Sequence, residues 1–373
     1  MAKGFWLVFL GANIKNIQVA LSVIIKLAAE TIIFPEHHRG CRMLPIFKYH
    51  CILIEYNLRT MDTIKPGIKL WWIVLSLIMM FLLSSCSDDE QDPLNPSILP
   101  DLSGLTWVMD DLFIAVHDAK NIPAEEGWSR VSFLRLPVSE KEGVIWQPVG
   151  MEFPGPGGKS SDMESACSIP GGGDFLFVES GQEGENFRRI FHAFYNGDKL
   201  QIISYSDWPV EIENVEASEV CQVGDHMVFL YAERAEGLDS TLLRWACFSL
   251  DPLSFGEFRQ VTYHAIDPLG EGARPIVALD VDSDGFIYTA SAYDPGSDEG
   301  PYRSVIWRIG RIVAAKDGEA EILLDENTRI ASLDGLKVES VAIRETVEDH
   351  RQVFVGTDDE YYGGLLRLLP PTP

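Results

Sequence analysis

The chain has 373 residues, 46% hydrophobic and 23% charged, with a formal net charge of -26. That is ample material for a globular core. A surface so acidic repels nucleic acid and anionic membranes and attracts cations, so nucleic acid is excluded as a partner.

In chain order, a start resembling a bacterial secretory signal comes at Met61, in "MDTIKPGIKLWWIVLSLIMMFLLSSCSDDE". Lys65 and Lys69 precede an apolar run from Trp71 to Leu83, too short to span a bilayer comfortably and suited to a signal peptide. Leu83-Ser84-Ser85-Cys86 resembles a lipobox, which implies cleavage after residue 85 and a diacylated Cys86 anchoring the chain to a membrane. Residues 1–60 are then an upstream extension from an early start, and their His37, His38, Cys41 and Cys51 form no metal site. Residues 86–101 read as an acidic, Pro-rich tether. Their opening, Ser87-Asp88-Asp89-Glu90, resembles the export signal that sends lipoproteins of Bacteroidetes to the outer face of the outer membrane. The expected location is therefore the cell envelope, as a surface-exposed outer-membrane lipoprotein.

Residues 102–373 repeat one pattern five times. Each unit opens on a short run: "LSGLTWV", "MESACSI", "VEASEVC", "IVALDVD" and "VESVAIR". Next comes a strand running into acids, such as "FLFVESGQEGEN" or "QVFVGTDDEYYGG", and then a third strand usually opened by Arg. Four units continue to a more polar fourth strand. The leading positions, Ser103, Glu164, Glu216, Val277 and Glu339, are 61, 52, 61 and 62 residues apart. Apolar runs bounded by Gly, Pro, Asn and Asp are strands, and no long helical periodicity competes. The fold class is all-β, a five-bladed β-propeller; six blades is the alternative if a 61-residue interval hides one. The last unit lacks its outer strand, for which the segment near Leu94–Leu99 is a candidate.

This architecture predicts which residues meet. Asp118, Glu179, Glu233, Asp294 and Asp359 should gather at the mouth of the central channel. Arg130, Arg189, Arg244, Arg303 and Arg367 are candidate partners, and such pairs could serve only to tie blade to blade. Ser103, Glu164, Glu216 and Glu339 should face the axis, where crowded carboxylates need a cation, shared protons or backbone amides. Oxygen-only ligands around a ring suit Ca²⁺. The order Ser, Glu, Glu, small residue, Glu is similar to the soluble calcium-activated nucleotidases, or apyrases. The phrases "SGLTW", "DMESACSIPGG" and "LDGLKVESVAI" also resemble the phytase-like and esterase-like phytase propellers. The resemblance implies a Ca²⁺ in the channel; Val277 stands where the nucleotidase pattern has Ser, which argues against nucleotide hydrolysis more than against Ca²⁺.

Other signals carry less. Asp280, Asp282, Asp284 and Gly285 mimic an EF-hand start, but position twelve is Ser291, so Ser283-Asp284-Gly285 is a hairpin turn. "PGPGGKSS" lacks the first Gly of a phosphate loop. Cys167, Cys221 and Cys247 lie in apolar runs and are expected to be buried free thiols. His117 beside Asp118 is the candidate catalytic pair, a general base at the acidic mouth. Two functions remain. One is a Ca²⁺-binding surface module with an unknown ligand. The alternative is a Ca²⁺-dependent extracytoplasmic hydrolase of a small phosphorylated substrate, with Lys120, Arg130, Arg234 or Arg303 positioning it.

Overall fold

The computed structural model describes residues 100–118, 129–137, 143–155, 158–297, 300–316, 318–346, 351–358 and 363–371. Cys86, the Leu94–Leu99 segment, Lys120 and Asp359 lie outside them, as does everything expected of residues 1–85.

The described residues form twenty strands in five antiparallel sheets. The first sheet holds β1 (Gly104–Met109), β2 (Leu112–Val116), β3 (Val131–Arg135) and β4 (Ile145–Val149). The second holds β5 (Met163–Ser168), β6 (Asp174–Glu179), β7 (Arg189–Tyr195) and β8 (Leu200–Asp207). The third holds β9 (Val215–Val223), β10 (His226–Glu233), β11 (Ser240–Leu250), β12 (Leu253–Phe255) and β13 (Arg259–His264). The fourth holds β14 (Ala273–Val281), β15 (Phe286–Tyr293), β16 (Arg303–Ala314) and β17 (Ala320–Asp334). The fifth holds β18 (Val338–Glu345), β19 (Arg351–Thr357) and the short β20 (Leu366–Leu368).

Five hydrophobic clusters fall one to each seam between neighbouring sheets, including the seam that joins the fifth sheet to the first. That last cluster packs Leu105, Phe113 and Trp146 against Ala342, Phe354 and Leu366. A ring closed by apolar burial on every side is a five-bladed propeller, and the six-bladed alternative falls away.

Side-chain size along a blade follows from its wedge shape. The innermost strands face a narrow axis and carry small residues there, such as Gly104, Ser165, Ala166, Ser218, Ala278 and Ser340. A Cβ on Gly104 would come within 2.7 Å of Ser165 and Ala166, so β1 and β5 approach too closely for any side chain. The middle strands are buried on both faces and read as unbroken apolar runs, as in β2, "LFIAV". The outer strands alternate; β8 switches between partly buried and exposed residues along its length.

The EF-hand mimic is a turn, as its sequence suggests. Asp282 Oδ1 accepts from the amides of Asp284 (3.0 Å) and Phe286 (2.9 Å), and Gly285 adopts φ +82°. Arg351 then bridges Asp282, Asp284 and Glu345, so a guanidinium sits among these acids. Cys167 and Cys221 are buried and Cys247 half-buried, all three as free thiols.

Candidate functional site

The four residues assigned to the axis do meet. Ser103, Glu164, Glu216 and Glu339 line one small cavity at the hub, about 10 Å³ in volume, room for a single water-sized occupant. The backbone explains the convergence. In β5 the pairing runs Met163↔Glu179, then Ser165↔Val178, leaving Glu164 as an extra residue. Glu216 is skipped in the same way between Val215 and Ala217, and Glu339 between Val338 and Ser340. Each glutamate thus occupies a β-bulge, which re-aims a side chain that the regular pleat would send toward a neighbouring blade.

The fourth blade behaves differently from expectation. Val277 is buried in the seam with the fifth blade, not in the channel. The pairing of β14 is irregular between Arg274 and Ala278, and it is Arg274 that serves the hub. Its NH2 donates to Asp294 Oδ2 at 2.8 Å, and its NH1 lies 3.8 Å from Glu216 and 3.6 Å from Glu339. Lys337 adds a second buried cation, 3.1 Å from Glu339 and 2.9 Å from Asp358. Arg234 Nε approaches Glu216 Oε1 to 2.6 Å, a close contact poorly aligned for a hydrogen bond. Burial works against the charge on Arg234, but Glu216, Glu164 and Glu339 outweigh it. Burial pushes Glu339 up to about 7; Lys337 and Arg274 pull the other way, and Asp358 and Glu216 oppose them.

The remaining glutamate has acidic company. Oxygens of Asp118, Asp162 and Glu164 lie within 4.8 Å of one another, where the loop after β2 meets the approach to β5. Burial raises the Glu164 carboxyl well above its usual range, and Glu216, Asp162, Glu339 and Asp118 raise it further. Ser103 adjoins the group, its Oγ accepting the Asp118 amide at 3.2 Å. Arg130 supports Asp118 through the backbone, donating to its carbonyl at 2.6 Å. Burial lowers the pKa of Arg130, while Asp118, Asp101, Asp162 and Glu179 raise it.

The other assigned residues disperse. Glu179 is fully buried in a pair with Arg189 (2.7 and 2.9 Å), and Arg189 also holds the carbonyls of Pro154 (3.0 Å) and Lys159 (2.6 Å). Glu179 is therefore a structural anchor of the loop before β5, not an open mouth acid. Glu233 pairs with Arg244 at 2.5 Å, as the acid–Arg pattern anticipates. Asp294 turns to Arg274, so its expected partner Arg303 instead binds Asp267 through two bonds, 2.6 and 2.7 Å, with Asp334 at 3.2 Å. Arg303 thus belongs to the rim and does not reach the hub acids. His117 is fully buried, its Nδ1 2.5 Å from the Asp101 carbonyl and its Nε2 2.8 Å from Ser132 Oγ. A carbonyl only accepts, so Nδ1 carries the proton, Nε2 accepts from Ser132, and neither nitrogen faces solvent. Burial lowers its pKa. His117 is thus a packing and tethering residue rather than a general base.

Three hub residues escaped sequence reasoning: Asp162, Arg274 and Lys337. The available signal was proximity to the leaders, since each lies two or three residues before Glu164, Val277 or Glu339.

Fold and hub together define a five-bladed β-propeller with an acidic, partly neutralised centre. No family model matches the chain, and no curated protein matches it. Among solved structures it is similar to an exo-1,5-α-L-arabinanase from a bovine ruminal metagenomic library, with 9% identity and a TM-score of 0.40 over 75% of this chain and 95% of that one. It is also similar to the K499G mutant of the NanB sialidase from Streptococcus pneumoniae, with 12% identity and a TM-score of 0.32 over 65% of this chain and 34% of the sialidase.

Proposed function

We propose that this chain is a cell-envelope lipoprotein, anchored through Cys86, whose propeller binds one Ca²⁺ at the hub and serves as a binding module. The observation that carries the reading is the spacing of Asp118, Asp162 and Glu164, whose oxygens lie within 4.8 Å of one another. Two oxygens each about 2.3–2.6 Å from a single Ca²⁺ stand at most about 5 Å apart, and the three groups meet that limit pair by pair. The donors are all oxygens, and Ser103 Oγ adjoins them. That set fits a hard divalent cation. Glu216 and Glu339 are already served by Arg234, Arg274 and Lys337, so the ion belongs to the Glu164 side rather than on the axis.

The phytase-like or nucleotidase-like hydrolase reading has less support. His117 is sealed by Asp101 and Ser132, and Arg303 lies on the rim, away from the hub acids. The test is thermal unfolding of the propeller in chelator and in millimolar Ca²⁺, for wild type, Glu164→Gln and Asp162→Asn. Saturation a hundredfold above Kd should add about 2.7 kcal/mol to the wild type and nothing to either variant. A Ca²⁺ shift absent from the wild type, or retained by both variants, overturns the reading.

A further inference from the structure

We infer that the loop face of the third and fourth blades is a docking surface for a partner protein segment that presents aliphatic side chains flanked by Lys or Arg. This names the partner of the binding module proposed above and rests on that reading, though not on the hub cation.

Among the described residues, the three most exposed large hydrophobic side chains are Leu238 (59%), Leu269 (53%) and Ile266 (52%). Chain topology brings them together. The β11–β13 ladder pairs Ser240 with His264, and the Ala265 amide continues it by donating to the Asp239 carbonyl at 2.9 Å. Leu238 and Ile266 are the next residues outward on the two strands. The Gly237 amide donates to the Ala273 carbonyl at 2.7 Å, and the Ala273 amide to the Gly270 carbonyl at 3.0 Å, which draws the Leu269 turn to the same spot. An aliphatic cluster left in water on hydrogen-bonded loops, rimmed by polar groups, has the character of an interaction site.

Charge selects the partner. Glu236, Asp239 and Glu271 are exposed around the cluster and make no ion pair among the described residues. The nearby cations are committed: Arg234, which Glu236 also feels, to Glu216, Arg303 to Asp267 and Asp334, Arg329 to Asp267, and Arg244 to Glu233. The residual field is negative, which attracts a basic segment and repels an anionic bilayer. Aliphatic side chains offer no hydrogen bonds to a sugar, whereas they bury well against Leu, Ile or Val.

The probe is a fluorescein-labelled amphipathic Leu/Lys peptide, with a Lys/Ser peptide of equal charge as control, titrated by anisotropy against the lipid-free propeller in Ca²⁺ and in chelator. The Leu/Lys peptide should bind at least tenfold more tightly than the Lys/Ser peptide, in both media. The triple variant Leu238→Ser, Ile266→Ser, Leu269→Ser should lose that advantage at unchanged Tm, because the replaced side chains are exposed. Glu236→Gln, Asp239→Asn, Glu271→Gln together should flatten the salt dependence. Equal affinity for the two peptides, or a serine variant that binds like wild type, overturns the proposal. So does a concentration-dependent dimer that the serine variant abolishes, which would assign the surface to a second copy, or serine-sensitive binding to phosphatidylglycerol vesicles, which would assign it to lipid. Loss of the hub cation would appear instead as a missing Ca²⁺ shift in Tm with peptide binding intact.

Discussion

On one side of the hub, Glu216 and Glu339 face Arg234, Arg274 and Lys337; on the other, Glu164 faces Asp118 and Asp162. The three glutamates hold the same place in their blades, each at a bulge of the innermost strand. What differs is the company supplied by the loops. The first side pairs its acids with cations of the chain itself, Arg234, Arg274 and Lys337. The second crowds three carboxylates together with Arg130 nearby, and burial and mutual repulsion raise the Glu164 carboxyl there. A repeated backbone can thus hold an acid–cation network on one side of the hub and a carboxylate cluster on the other.

The sharpest way to break this contrast is to remove the central cation. Arg274→Met leaves Glu216, Glu339 and Asp294 short of a partner in a buried setting, and should cost about 3–5 kcal/mol of unfolding free energy in urea. Millimolar Ca²⁺ should recover part of that loss, because the ruined side then resembles the carboxylate cluster.

A third place holds buried carboxyls away from both of these clusters. Asp280 and Glu219 are drawn out of the usual carboxylate range first by burial and then by nearby acids, Asp280 to about 8. Asp280 accepts from the amides of Val281 (2.5 Å) and Ile343 (2.6 Å), which lower its pKa without restoring it. A raised folded pKa means that the stabilising contribution is complete below the unfolded value of 3.8 and declines as pH rises, until both states are ionised near 8. Stability should therefore fall between those limits by at most about 1.4 kcal/mol per pH unit for this group. Urea unfolding of wild type and Asp280→Asn across that range should show the slope in the first and its reduction in the second.

The carboxylate cluster predicts a gain. In chelator, Glu164→Gln removes one of three crowded carboxylates and should raise stability by about 1 kcal/mol, opposite in sign to Arg274→Met, while removing the response to Ca²⁺. The rim supplies the smallest effect. Arg303 makes three charged contacts, yet its side chain is 39% exposed, so Arg303→Ala should change stability by less than about 1 kcal/mol. A larger loss would mean that the rim, and not the hub, ties the fourth blade to its neighbour.

Much of this was legible beforehand for one reason: repetition. Strand-one leaders recurring every 52 to 62 residues pick out Ser103, Glu164, Glu216 and Glu339, and these four line one cavity. The acid–Arg rule was right for Glu179 with Arg189 and for Glu233 with Arg244, where acid and base lie on paired neighbouring strands. It failed for Asp294 because a closer guanidinium, that of Arg274, arrives from the preceding strand. His117 looked catalytic because it neighbours an acid, but just past the end of β2 its ring is buried between the Asp101 carbonyl and Ser132.

Periodicity, strand chemistry and turn residues are local properties, so the sequence alone determined the all-β class, the five-fold repeat, and Ser283-Asp284-Gly285 as a turn. Charge balance at the hub depends on which loops meet across blades some sixty residues apart, and on bulges that shift one residue out of register. Only the tertiary structure decided that Arg274 and Lys337 close one half of the ring while Asp162 joins Asp118 and Glu164 in the other. Electrostatic energy follows distance in space, and the order of residues along a chain does not encode that distance until the blades are packed.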